Sequence, residues 1–281
     1  MIRSRIAYIE GVGLWSEQLP GWEVASSILR GELPPPQQAS KRPSPDLLPP
    51  NERRRAPDTV AVALEVGSKA CAHARRDPSA LPSVFTSTHG DLAITNYMCD
   101  TLASSPKLIS PTRFHNSVHN AAAGYWAIAT GSTRPYTAIS AERYSFGNGL
   151  LEALIQSESN NETVLLVAYD VAAQGPLASI VRSSGRLGCA LVLGCQPSPS
   201  AKYSLQWKLL ADEHVPESVV STENAALAAD NAMAPALPTF EAIARSNGEV
   251  VAAVSETTRL ELAIAPLTVA PTNLSTVEAA P

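Results

Sequence analysis

Between Ser110 and Ala153 the spacing of apolar and polar positions changes twice. Over Asn116 to Thr130 it is helical, with Val118, Ala121, Ala122, Tyr125, Ile128 and Ala129 on one side. Gly131 and Pro135 then break the pattern, Tyr136 to Ser140 reads as a short strand, and SFGNGLLEAL resumes a helical spacing after a sharp turn at Arg143. Strand, sharp turn and helix make the layout of a nucleophile elbow, in which the turn residue faces the free N–H groups and positive end of the following helix. Here the turn carries an arginine, and no thiol or hydroxyl stands at it.

Elsewhere the pattern is uneven. Val60, Ala63, Leu64, Gly67 and Cys71 predict a core-facing helix over Thr59 to Arg75. Ahead of it, residues 34–57 hold eight of the 23 prolines and few apolar anchors, which predicts a surface loop, either a solvated connection or a partner-docking segment. After Ala201 the runs SLQWKLLA, EVVAAVSE and RLELAIAP have the length and branched content of strands, with helical or irregular sequence around Leu227 and over Phe240 to Arg245. The closing TNLSTVEAAP reads as a frayed tail.

Composition narrows the function classes. The 281 residues, 45% hydrophobic and 17% charged, suffice for one large core. A net charge of -5, with basic residues scattered apart from Arg53, Arg54 and Arg55, argues against a nucleic-acid partner. Cys71, Cys99, Cys189 and Cys195 form no C-x-x-C pair, which points to a reducing, cytoplasmic compartment. Glu10, Gly11 and Gly13 interrupt the first residues before any signal-like apolar core, and no run is long enough to span a bilayer. EGVGLWSE and SSGRLGCALVLG lack the glycine spacing of a nucleotide-binding loop, and no cofactor is expected.

From Asn120 through Gly124, Gly131 and Pro135 to Ala153 the chain resembles the ketosynthase branch of the thiolase-like condensing enzymes. SVHNAAAGYWAI followed by SFGNGLLEAL is similar, more narrowly, to the short chain-length factors of aryl polyene and related pigment gene clusters. Arg5 to Gly13 then reads like the opening strand and Trp22 to Gly31 like the first helix. Ser83 to Gly90, Thr163 to Asp170 and Gly185 to Gly194 read like later strands. The resemblance implies an α/β thiolase-like layered fold, with a near-complete N-terminal half over 1–195 and a shortened C-terminal part over 196–281.

It also implies a function. Arg143 falls where ketosynthases keep their cysteine, and the two histidine motifs of a working enzyme are missing; beyond Cys195 the only histidine is His214. Such a chain is expected to be a catalytically silent subunit. It would pair as a heterodimer with a cysteine-bearing ketosynthase and help extend a polyene, polyketide or fatty acyl chain on an acyl carrier protein. The complex, not this chain alone, would be the β-ketoacyl synthase. In the family the strand matching Tyr136 to Ser140 pairs across a two-fold axis, and residues ahead of the preceding helix line the partner's acyl tunnel. Those features point to Arg113, Phe114, Ser117, His119, Tyr136, Ser140, Tyr144 and Phe146.

Competing assignments rest on individual residues. Ser145 and His119 could serve a relocated acyltransferase or thioesterase centre, although the sequence places no histidine beside Ser145, and a capping hydroxyl fits it better. A stand-alone acyl-binding scaffold is a third reading. His115 and His119 stand four apart, but Asn116 takes the place of the glutamate that follows the first histidine of a metalloprotease helix, so no metal is expected. Asp170, Glu142 and Glu152 are expected to pair Arg143 or to be solvated.

Overall fold

The structure, a computed structural model, describes residues 4–211, 220–227 and 230–267. In chain order the elements are β1 (Arg5–Ser16), α1 (Trp22–Leu29), α2 (Pro50–Arg55), α3 (Asp58–Ala74), β2 (Ser83–Thr86), α4 (Leu92–Ser104), α5 (Pro111–His115) and α6 (Ala121–Thr130). They continue with β3 (Tyr136–Ile139), α7 (Ser145–Asn160), β4 (Val164–Val171), β5 (Arg186–Gly194), β6 (Tyr203–Ala211), α8 (Leu237–Ala244), β7 (Gly248–Ala253) and β8 (Thr258–Pro266). All eight strands join one sheet in the order β3-β2-β4-β5-β1-β6-β8-β7. β2 pairs in parallel with β3 and β4, and every other pairing is antiparallel.

Period-two alternation sorts the strand side chains between two cores. In β4, Val164, Leu166 and Ala168 join the core that also holds residues of α1, α7 and α8, while Leu165, Val167 and Tyr169 join the core of α3 and α6. Burial on both faces explains why β4 and β5 read as nearly continuous apolar runs. The C-terminal strands keep the alternation on one face only: Leu205, Trp207, Leu260, Leu262 and Ile264 are buried, while Gln206 and Lys208 are exposed. Among the described residues the C-terminal part therefore builds no second three-layer unit. It extends the N-terminal sheet through β6, which pairs Tyr203 to Trp207 with Ile9 to Arg5 of β1.

The two glycines of EGVG serve close packing. A Cβ on Gly11 would lie 2.2 Å from the Ala70 carbonyl oxygen, and one on Gly13 would lie 2.1 Å from that of Val66, so α3 rests directly on β1. The proline-rich segment is a strap rather than a loose loop. It contains α2, buries Leu48 and Ala56 in the core of α3, and is pinned by Arg42, which donates to Asp58 and to the Ala56 carbonyl, each at 2.5 Å.

Two boundaries differ from expectation. The helix anticipated from Asn116 starts at Ala121, because residues 116–120 form turns that bring the His119 ring against the Ser87 carbonyl. Of the anticipated apolar side, Ala122 is buried and Tyr125 and Ala129 pack against the core, whereas Val118 and Ile128 face outward; Ala123 and Trp126 complete the buried set. The strand expected over Ser83 to Gly90 stops at Thr86, and Ser87 to Gly90 form a loop.

Candidate functional site

β3 ends at Ile139 and α7 begins at Ser145, and the turn between them is the anticipated elbow. Its left-handed residue is Glu142, with φ of 49°, one position before Arg143. Arg143 is exposed in the single chain. Its Nη2 donates to the Tyr144 hydroxyl at 2.5 Å and its guanidinium lies 4.8 Å from the centre of that ring. Ser145 Oγ donates to the Glu142 carbonyl at 2.7 Å and accepts the Ala141 N–H at 3.0 Å. Both roles of that hydroxyl are spent inside the turn, no hydrogen bond joins it to His119, and the side chain is buried. It braces the turn and caps no helix.

The first turn of α7 is wedged from two sides. A Cβ on Gly149 would lie 2.6 Å from Thr86, and one on Gly147 would lie 2.0 Å from the Ala253 carbonyl oxygen. Asn148 Nδ2 donates to the Val254 carbonyl at 2.7 Å, so the β7–β8 hairpin is bonded across the helix start. A cavity of about 310 Å³ remains there, with Arg143 and Tyr144 beside Phe146, Val251 and Pro238.

Behind the elbow lies a polar clamp centred on Asp170, whose 0% exposure overturns the expectation that it pairs Arg143 or is solvated. Its carboxylate accepts from Ser87 Oγ at 2.8 Å, from the Thr88 N–H at 2.8 Å and from the His89 N–H at 3.2 Å. Burial pushes this carboxyl above the usual aspartate range, and the three donors pull against that shift. The loop it holds is bonded to its surroundings: Thr88 donates to the Glu142 carbonyl, Ser140 Oγ donates to the Thr88 carbonyl, and His119 Nε2 donates to the Ser87 carbonyl. Glu152 is committed elsewhere, accepting from Gln156.

The residues singled out in the sequence fall into three groups. His119, Ser140 and, through Glu142, the elbow turn are gathered by the Asp170 loop. Arg113, Phe114, Ser117 and Tyr136 are exposed on the segment between α4 and β3. Tyr144 stacks under Arg143, whereas Phe146 packs in the core with α7 and lines the elbow cavity beside them. His115 closes α5 and His119 lies in the following turn, so the two imidazoles share no helix face. Among the described residues no three histidine, cysteine or acidic groups gather at metal-binding spacing. His214 and the tail TNLSTVEAAP lie outside the described residues. Asp170 and Thr88 were missed as a pair; the signal was a carboxylate closing an otherwise apolar strand, LLVAYD.

Six of the twelve large apolar side chains exposed among the described residues fall between Leu102 and Tyr136, with Ile128 at 79% and Phe114 at 62%. β3, the edge of the sheet, runs through the same region with one side unpaired. A short edge strand beside exposed apolar side chains is a surface built to be covered.

The family model for the β-ketoacyl synthase N-terminal domain matches residues 30–257. The chain belongs to that family. Its fold is the thiolase-like fold of the ketosynthases. A chain of the ketosynthase–chain length factor complex from Xenorhabdus doucetiae (ApeO with ApeC) superposes with a TM-score of 0.69 at 20% identity, over 92% of this chain and 98% of that one. The ishigamide ketosynthase/chain length factor gives 0.67 at 14% identity, over 93% and 99%. The type II polyketide ketosynthase–carrier protein complex AntDE:AntF gives 0.68 at 10% identity, over 94% and 100%. No curated protein matches the chain. As a ketosynthase-like protein it has an elbow with no nucleophile at its apex, a serine whose hydroxyl is spent, and an uncovered edge beside both.

Proposed function

We propose that the chain is a chain-length factor, a catalytically silent subunit that covers its β3 edge and α6 face with a cysteine-bearing ketosynthase. The complex would extend a polyene, polyketide or fatty acyl chain held on an acyl carrier protein, with the partner's cysteine doing the condensation. The observation that carries this reading is the pairing of an elbow lacking a nucleophile with an unpaired edge strand and a run of exposed apolar side chains. The similar structures named as ketosynthase–chain length factor complexes support it. Residues 1–195 would form the ketosynthase-like half and 196–281 the shortened remainder. Phe114, Arg113 and Ser117 would reach the partner's tunnel and set by their bulk how long a chain fits. Among the described residues no helix is long and apolar enough to cross a membrane, in keeping with work in the cytoplasm on carrier-bound chains.

The test is co-expression with a cysteine-bearing ketosynthase encoded nearby, followed by mass measurement of product on malonyl- and acyl-loaded carrier protein. Co-purification as a heterodimer, turnover only by the pair, and a product length that shifts in Phe114→Ala are expected. Turnover by the lone chain would overturn catalytic silence, and failure to bind any ketosynthase would overturn the pairing.

A further inference from the structure

A second cavity, about 660 Å³, lies away from the elbow and shares no lining residue with the one there. It opens beyond the C-terminal end of β4, between the end of the strap, the start of α4 and the α5 segment. Ligands of open α/β sheets commonly sit off the C-terminal ends of parallel strands, and the volume is that of a small-molecule site.

Its charges are unequally satisfied. Asp58 accepts from Arg42 at 2.5 Å and from Arg186 at 2.8 Å, and Glu17 faces Arg186 at 3.3 Å. Asp91 caps α4 through the Ile94 N–H and accepts from Thr59. Each lining carboxylate thus has partners. Two lining arginines have no carboxylate partner among the described residues. In the run Arg53–Arg54–Arg55 the first two guanidinium groups bond back to their own segment, at Leu48 and Asp46 and at Pro50 and Asn51, while Arg55 makes no such bond. Arg113 lies over the Tyr97 ring, its Cζ 4.0 Å from the centroid. A separate observation concerns Asn116: it lines the cavity at 4% exposure, and its Oδ1 has no hydrogen-bond partner. A buried acceptor left unmade is costly and calls for a donor.

We propose that this cavity binds a small hydroxyl-bearing phosphate monoester, with Arg55 and Arg113 taking the phosphate and Asn116 accepting from a hydroxyl. Two guanidinium groups match the near-double charge of a monoester, where a carboxylate would leave one of them uncompensated. The proposal shares Arg113 with the partner reading but not Arg55, and it is measured on the lone chain, where no partner tunnel competes for Arg113.

The experiment is calorimetric titration of the full chain with glycerol 3-phosphate, inorganic phosphate and acetate at matched ionic strength. Saturable binding of glycerol 3-phosphate is expected, weakened about tenfold in Arg55→Ala and in Arg113→Ala, and unchanged in Arg54→Ala. Asn116→Ala is expected to weaken glycerol 3-phosphate while leaving inorganic phosphate as it was, with melting of the arginine variants unchanged as the check on folding. Absence of saturation at millimolar concentrations would overturn the proposal. So would equal binding of acetate, or affinity indifferent to Arg55→Ala.

Discussion

Helices α3 and α6 lie in the same layer, against the same face of the sheet and against each other, yet they end up in opposite conditions. Nearly every apolar side chain of α3 is buried, because β1 presses on it through two glycines and the strap passes over its outer side with Leu48 and Ala56. α6 buries Ala122, Ala123 and Trp126 against the sheet and exposes Ile128 on the other side, where a Cβ on Gly124 would meet nothing within 4 Å. The chain supplies its own cover for one helix and none for the other. What the uncovered region has instead is the polar clamp, in which Asp170 holds the loop that ties β3, the elbow and the approach to α6 together. Apolar burial stabilises the covered helix; hydrogen bonds keep the open face in shape.

The contrast is broken most directly by truncating one side chain on each helix. Leu64→Ala in α3 removes a side chain with no exposure and is expected to cost about 3 kcal/mol in denaturant unfolding. Ile128→Ala in α6 is expected to change the stability of the lone chain by less than about 0.5 kcal/mol. With a ketosynthase partner present the ranking inverts: Ile128→Glu is expected to weaken the complex by about 2 kcal/mol or more, read by titration, because it buries a charge at a covered apolar face. A measured loss for Ile128→Ala in the lone chain equal to that for Leu64→Ala would mean that α6 already has a cover.

The clamp sets the next scale. Asp170→Asn turns an amide toward three donors and is expected to cost about 2 kcal/mol. It also removes a pH dependence whose sign is fixed. A carboxyl whose folded pKa lies above its unfolded value binds its proton more tightly when folded. Its contribution is therefore fully present below the unfolded pKa and is lost as pH rises through the folded one. Stability of the parent chain should fall across that window, and the fall should be shallower in Asp170→Asn. Identical slopes in the two proteins would show that the clamp stays ionised throughout.

What the sequence revealed follows the same division. α3, β4 and β5 are legible because burial leaves a strong pattern: helical spacing in the first and near-continuous apolar runs in the others. α4 went unread because only Leu92 and Ile94 of it are buried, and a surface helix that dips in at one end has little period to show. The elbow was legible as strand, turn and helix, and the missing nucleophile could be read from residue 143 itself. Its left-handed residue was not, since Glu142 carries no glycine signal, and the exposure of Arg143 depends on packing rather than local pattern. The role of Asp170 was illegible for a topological reason. It is decided by Ser87 to His89, and parallel pairing of β2 with β4 brings them together across a long stretch of chain. Addition of β6 to β1 is likewise a contact between the two ends of the sequence.

The smallest effect concerns how α3 acquired its cover. Arg42 joins the strap to the helix by donating to Asp58 and to the Ala56 carbonyl, and both ends of this link are partly exposed, so its loss is expected to cost about 1 kcal/mol. Asp58 keeps Arg186 at 2.8 Å in Arg42→Ala, which means the start of α3 stays anchored to β5 and only the strap is released. Proteolytic cleavage between residues 33 and 49 should then accelerate several-fold while hydrogen exchange in the centre of α3 is unchanged, because β1 still covers the helix from below. If the α3 amides instead lost protection to the level of those in α6, the strap would be the principal cover and not a lid over a helix already seated. The difference between the two helices would then reduce to one arginine.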